Sequence, residues 1–131
     1  MFIDIQEKSK KDYYQKMLST VGSLSRLFSE SNAPYLHYRI AENLFCKSFG
    51  AENLSRSDTS ADASYNGIGF GLKTFLKGNG RKMEKVAEFN NDSPQFRDLT
   101  PEEQVKEIVR LRNERIETTM RIYGLTEIIY H

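Results

Sequence analysis

The chain has 131 residues, of which 38% are hydrophobic and 28% charged, and its formal net charge is +1. This length and composition predict one soluble globular domain over residues 1–131 with a core of its own. The apolar runs are too short for a membrane span, and the N-terminal residues lack the apolar core of a secretory signal. A single cysteine, Cys46, excludes an internal disulfide, favours a reducing cytoplasm and is expected to be a plain buried thiol.

The first half of the chain predicts two helices. Residues 7–30 carry apolar side chains at three- and four-residue steps, which is the pattern of an amphipathic helix. A second helix is predicted at about 34–49, with Asn32 as its capping residue and Gly50 as its stop. Together these helices can cover one face of a sheet.

Glu42 has an ambiguous place on the second predicted helix. It falls in one row with three aromatic residues at steps of four, three and four: Tyr38, Phe45 and Phe49. One interpretation is a glutamate at the border of the apolar stripe with its head in water. The other is a carboxylate directed at a functional site, and both remain open at this point.

A β-hairpin is predicted between the helices. Asn66-Gly67 is typical of a two-residue turn, because both residues tolerate the positive φ that such a turn requires. The strands are expected at about 61–66 and 67–77. Residues 53–61, which precede them, are expected to form a polar connection. A third strand is expected at 85–90.

Two charged residues and two glycines share one face of this predicted hairpin. The alternation of side chains places Asp62 and Lys73 on the face that also carries Gly69 and Gly71, and the two charged residues become diagonal neighbours. The glycines are expected to leave an open polar floor beneath them. A surface salt bridge would satisfy the same geometry, and this alternative stays open.

The C-terminal part predicts a third helix and a strand. Thr100, Pro101 and Glu103 form a near-complete helix start, so the helix is expected at about 100–123. Its inner side is expected to carry these residues: Val105, Ile108, Val109, Ile116 and Met120. Residues 126–131 read as a strand, and because the chain stops there we expect it to be the N-terminal part of a longer protein.

The chemistry that fits the charged pair is metal-dependent phosphodiester hydrolysis. This reaction needs carboxylates to hold a divalent cation and a positive group near the charge that develops in the transition state. Asp62 and Lys73 supply two of these parts, and Glu42 can supply a second carboxylate from the preceding helix.

These residues resemble the PD-(D/E)XK nuclease family, in particular type II restriction endonucleases. The resemblance rests on SADA (60–63) and GIGFGLKTF (67–75), and KVAEFN (85–90) and LRNERIETTMRIYG (111–124) are similar to segments of bacterial restriction enzymes of this kind. The order of the predicted elements also agrees: helix, acid-bearing strand, lysine-bearing strand, further strand, helix. The similarity covers most of the chain and implies an α/β (α+β) fold with a small mixed sheet.

The resemblance implies a Mg²⁺-dependent endonuclease that hydrolyses double-stranded DNA in the cytoplasm. Carried over by position, Asp62 is the metal-binding aspartate and Lys73 the catalytic lysine. The family's acid two residues before that lysine falls on Gly71, so Glu42 is expected to replace it as a catalytic residue and metal ligand. A homodimer is expected, because two cuts at a palindrome need two sites.

Basic residues also suggest contacts with phosphates. Lys77, Arg81 and Lys82 form a cluster at the end of the lysine strand and beyond it, and we expect them to bind nucleic acid. A solvated hairpin tip would show the same composition, and this alternative stays open. The arginines of the third helix alternate with acids at helical spacing, which favours a salt-bridged surface instead. Two alternatives to an enzyme remain: a DNA- or protein-binding domain of the same fold without chemistry, and an assembly domain whose long helices pair with another subunit.

Overall fold

The structure is a computed structural model that describes residues 1–28, 34–55, 59–74 and 90–131. Within these ranges it has an α+β fold, as predicted, with three α-helices and one four-stranded mixed sheet. The helices are α1 (Lys8–Leu24), α2 (Tyr38–Phe49) and α3 (Pro101–Tyr123). The strands are β1 (Glu52–Asn53), β2 (Ala63–Tyr65), β3 (Ile68–Gly71) and β4 (Glu127–Tyr130).

The strand directions bring the ends of several strands to one edge of the sheet. The order is β1-β2-β3-β4, with β1, β2 and β3 antiparallel and β4 parallel to β3. The carboxyl ends of β1, β3 and β4 therefore lie beside the start of β2. We call this edge, formed by residues 54–55, 61–62, 72–73 and 131, the carboxyl edge.

The main core lies between the sheet and the first two helices. Its largest fully buried side chains are Phe45, Phe49 and Phe70. Phe2 packs among them, with its ring centroid 4.6 Å from that of Phe70. A smaller apolar cluster of Leu54, Ala61 and Leu125 lies on the other side of the sheet, against the end of α3. The sheet is thus covered on both faces.

The predicted helices exist, but two of their boundaries are wrong. The prediction of 7–30 extends beyond α1, which ends at Leu24 and is followed by a short 3₁₀ helix at Ser25–Leu27. The expected start at 34 is also wrong: α2 begins at Tyr38, because His37 takes the extended capping conformation and its side chain accepts a hydrogen bond from the Arg39 amide. Asn32, the predicted cap, lies outside the described residues.

The ends of α3 match the prediction. Thr100 forms a capping box with Glu103, Pro101 occupies the first turn, and Gly124 ends the helix in the left-handed conformation. The expected inner side is wrong for two residues, since Val105 is 62% exposed and Val109 48% exposed. Leu111 and Thr119 are the buried residues of this helix.

The strands differ from the prediction mainly in length. The hairpin strands are shorter than 61–66 and 67–77. Strand β1 was not predicted, and it overlaps the expected polar connection at Asn53. The expected third strand at 85–90 falls outside the described residues except for Asn90, which begins a 3₁₀ helix at Asn90–Gln95. The strand predicted at 126–131 is present as β4. No helix in the described ranges is long and apolar enough to cross a membrane.

Candidate functional site at the carboxyl edge

The hairpin turn forms at the predicted position. Asn66 and Gly67 have φ values of 48° and 78°, the positive values that a two-residue turn needs. The observed pairs are those expected next to such a turn: Tyr65 with Ile68, Ser64 with Gly69, and Ala63 with Phe70. The turn therefore fixes the register that carries Asp62 and Lys73 to the carboxyl edge.

Asp62 and Lys73 meet there, as their diagonal position predicted. Lys73 Nζ lies 3.6 Å from Asp62 Oδ2, and both side chains are partly buried. The same carboxylate oxygen accepts a hydrogen bond from the Leu72 amide at 2.7 Å, and the Asp62 amide donates to the Phe70 carbonyl oxygen at 2.7 Å. Asp62 thus closes the strand pairing with its own side chain, which fixes the direction of its carboxylate.

Glu42 lies inside the molecule and not with its head in water. Only 6% of its side chain is exposed, and Arg39 Nη1 lies 3.5 Å from its Oε2. The same Arg39 nitrogen donates to the carbonyl oxygen of Ser55, the residue that follows β1 at the carboxyl edge. This contact brings the first turn of α2 to the edge where Asp62 lies.

The charge of Glu42 is disfavoured by its surroundings. Burial is the main cause that raises its pKa, and the nearby Asp62 carboxylate raises it further, while hydrogen bonding to Ser55 and the charge of Arg39 oppose the rise. The two carboxylates are therefore close enough to interact electrostatically. A cation between them would relieve both the burial cost and the repulsion.

The carboxylates of Asp62 and Glu42 fit a Mg²⁺ site in which water and substrate supply the other ligands. Among the residues that the structure describes, no group of three or more His, Cys, Asp or Glu side chains is arranged to hold a metal ion. Mg²⁺ does not need such a cage, because proteins commonly bind it through one or two carboxylates together with water and substrate phosphates. Asp62 and Glu42 suit this second kind of site.

The expected open polar floor is wrong. A Cβ atom on Gly71 would lie 2.7 Å from the ring of Tyr130, and one on Gly69 would lie 2.8 Å from Leu125. The reason is that β4 runs beside β3 and places its side chains over the glycines. The glycines thus permit close packing, and Tyr130 covers the position where the resemblance would place an acid.

A tyrosine–histidine pair borders the site on the α1 side. Tyr14 Oη lies 3.4 Å from His131 Nε2, and the main chain of His131 bonds to Gly71 and Lys73. Burial raises the pKa of Tyr14 to about 12 and lowers the pKa of His131, so both rings are neutral at pH 7. No pattern in the sequence predicts this pair, since it joins the first helix to the residue that follows the last strand.

Cys46 behaves as predicted. The thiol is buried, and burial together with the charges of Glu42 and Asp62 raises its pKa to about 11. A thiol with such a pKa is protonated at neutral pH and therefore a poor nucleophile. Cys46 is a structural residue.

The basic residues fall into two groups. Lys77, Arg81 and Lys82 lie outside the described residues, so their expected contact with nucleic acid stays a prediction. On α3, the predicted salt-bridged surface is confirmed: Arg110 pairs with Glu107 and Glu114. Further ion pairs join Arg115 to Asp92 and Lys106 to Glu102.

Comparisons with protein-family models, with curated proteins and with solved structures returned no significant match.

Proposed function

We propose that the protein is a Mg²⁺-dependent endonuclease that hydrolyses phosphodiester bonds of double-stranded DNA, of the restriction-enzyme type. The observation that carries this proposal is the meeting of Asp62 and Lys73 at the carboxyl edge, 3.6 Å apart, together with a buried Glu42 whose pKa the charge of Asp62 helps to raise. Asp62 directly precedes β2, Lys73 follows the end of β3, and Glu42 lies on α2. Their chemistry, two carboxylates and one ammonium, is what metal-assisted phosphodiester hydrolysis requires.

Each of the three residues has a distinct part in the proposed site. Asp62 and Glu42 would hold Mg²⁺, and Asp62 is oriented for this by the Leu72 amide. Mg²⁺ bound there would polarise a phosphoryl oxygen and offset its charge. Lys73 donates hydrogen bonds to the phosphate and balances the negative charge that develops in the transition state.

Plasmid cleavage in the presence of Mg²⁺ tests the proposal. We expect Asp62→Asn, Lys73→Ala and Glu42→Gln each to lower the cleavage rate by at least about 100-fold, the usual effect of removing a group that acts in the transition state. Lys106→Ala is the matched control, because Lys106 is an exposed, ion-paired lysine on α3. Equal cutting by the wild type and all variants would contradict an active site at the carboxyl edge.

A second candidate function is a binding domain of the same fold without chemistry. It is favoured by Tyr130, which covers Gly71, and by the Leu72 amide, which already occupies the Asp62 carboxylate. This function would give salt-sensitive DNA binding without affinity for Mg²⁺ or Mn²⁺. Binding isotherms at several salt concentrations, with and without metal, separate the two functions.

The proposal extends to assembly and location. A restriction-type enzyme that cuts both strands of a palindrome uses two copies of the site, so we propose a homodimer on DNA. Sedimentation with and without a palindromic duplex measures this. We also propose a cytoplasmic location, which agrees with the single, buried and unpaired cysteine.

A further inference from the structure

Arg112 stands apart from the neighbouring arginines of α3. Arg110 and Arg115 both form ion pairs with carboxylates. Arg112 instead contacts Tyr130: its Nη2 donates a hydrogen bond to Tyr130 Oη at 3.3 Å, and its Cζ lies 6.0 Å from the ring centroid. In the described part of the chain no carboxylate lies within ion-pair distance of it. Its charge is therefore available to an anion from outside.

Tyr130 connects this arginine to the candidate site. It is the β4 residue paired with Gly71 on β3, and its ring packs directly on that glycine. Gly71 lies two residues before Lys73, and the hydrogen bond from the Lys73 amide to His131 continues the pairing to that point. Two residues of extended chain span about 7 Å. The contact of Tyr130 with Gly71 therefore places Arg112 near the strand end that carries Lys73.

We propose that Arg112 binds a DNA backbone phosphate beside the phosphate that contacts Lys73, with Tyr130 holding the guanidinium in place. This inference rests on the proposed function, which names DNA as the ligand. An exposed guanidinium matches phosphate in charge and in the geometry of its two parallel donors. The hydroxyl and ring of Tyr130 restrict its orientation without neutralising it.

The same arrangement accounts for the absence of an acid at Gly71. Any side chain there would meet the Tyr130 ring, since a Cβ atom on Gly71 would lie 2.7 Å from it. Tyr130 fills the space with a neutral ring instead.

The test is the salt dependence of binding to a 20-base-pair duplex, measured by fluorescence anisotropy with Ca²⁺, which carries the charge of Mg²⁺ with looser coordination geometry. The variants are Arg112→Gln, Arg112→Lys and the control Arg121→Gln. Arg121 is also exposed. It lies nine residues further along α3, roughly two and a half turns, and therefore on the opposite side of the helix.

We expect Arg112→Gln to weaken binding by about 10-fold at low salt, as for a lost charged hydrogen bond. The slope of log Kd against log salt should fall by about one unit, the value for one phosphate contact. Arg112→Lys should keep the slope, since it keeps the charge. Arg121→Gln should match the wild type. Thermal unfolding of each variant verifies that the fold is retained.

An unchanged slope for Arg112→Gln, or equal losses for Arg112→Gln and Arg121→Gln, would overturn the inference. A wild type that does not bind the duplex would overturn it as well. The proposed function is tested separately. If the wild type binds DNA but does not cleave plasmid with Mg²⁺, the nuclease proposal is wrong. A reduced salt slope for Arg112→Gln would still support the phosphate contact in that case. If the wild type cleaves and the slope is unchanged, only the role of Arg112 is lost.

Discussion

Asp62 uses one carboxylate oxygen for two purposes, a hydrogen bond from the Leu72 amide and an ion pair with Lys73. The hydrogen bond is structural, because it satisfies a main-chain donor at the point where the hairpin pairing ends. The ion pair is partly exposed and by itself contributes little to stability. Substitutions can therefore separate the contribution of Asp62 to stability from its proposed role in catalysis.

The first prediction concerns this separation. Asp62→Ala should lower the free energy of unfolding by about 1–3 kcal/mol, because it leaves the Leu72 amide without a partner. Asp62→Asn keeps an acceptor and should cost less, and Lys73→Ala should cost about 0–1 kcal/mol. Urea denaturation measures all three. A cost for Lys73→Ala as large as that for Asp62→Ala would mean that the ion pair, and not the amide contact, holds the strand end.

The second prediction follows from the burial of Glu42. Because its pKa is raised in the folded state, the folded protein favours the protonated form, and stability falls as the pH rises through that pKa. Glu42→Gln cannot ionise, so it should be more stable than the wild type at pH 7 and equal to it at pH 4. Urea denaturation at both pH values measures the difference. A variant less stable than the wild type at pH 7 would show that the Arg39 pair outweighs the burial cost.

At the level of elements, local signals in the sequence predicted the structure well. These signals determine the conformation of residues only a few positions away. They are the Asn66-Gly67 turn, the capping box at Thr100 and the helix stops at Gly50 and Gly124. Elements set by distant contacts were harder to predict. The two-residue strand β1 has no pattern of its own and exists because β2 pairs with it.

The same distinction explains the wrong expectation about the glycines. Asp62 and Lys73 are joined by one turn, so their meeting follows from the hairpin register. Tyr130 contacts Gly71 only because β4 pairs in parallel with β3, and the whole of α3 lies between these two strands in the sequence. No residue spacing in the sequence predicts such a contact. The covered floor and the Arg112 contact were therefore visible only in the fold.

The third prediction concerns the packing of β4 on β3. Gly71→Ala would place a methyl group 2.7 Å from the Tyr130 ring, so it should lower the free energy of unfolding by about 1–3 kcal/mol. In the Tyr130→Ala background the same substitution should cost much less, because the ring is gone. A double-mutant cycle by urea denaturation gives the coupling energy. Additive effects would show that the ring moves aside without cost.

For the whole molecule, the sheet topology is what assembles the candidate site. Mixed pairing brings the start of β2, the end of β3 and the end of β4 to one edge, and Arg39 joins Glu42 of α2 to Ser55 at that edge. From the sequence, the α+β fold and the Asp62–Lys73 pair could be predicted, whereas the inward position of Glu42 remained one of two alternatives. Its burial favours the alternative that the proposed site needs.

We propose that Glu42 and Asp62 hold one divalent cation together. The most direct test is Mn²⁺ binding by calorimetry to the wild type, Glu42→Gln and Asp62→Asn, with Glu117→Gln, an exposed glutamate on α3, as the control. We predict one site in the wild type and in the control, and affinity lower by at least about 10-fold in the other two, since each loses one of two charged oxygen ligands. Equal Mn²⁺ affinity in the wild type and Glu42→Gln, or no binding by the wild type, would contradict the account.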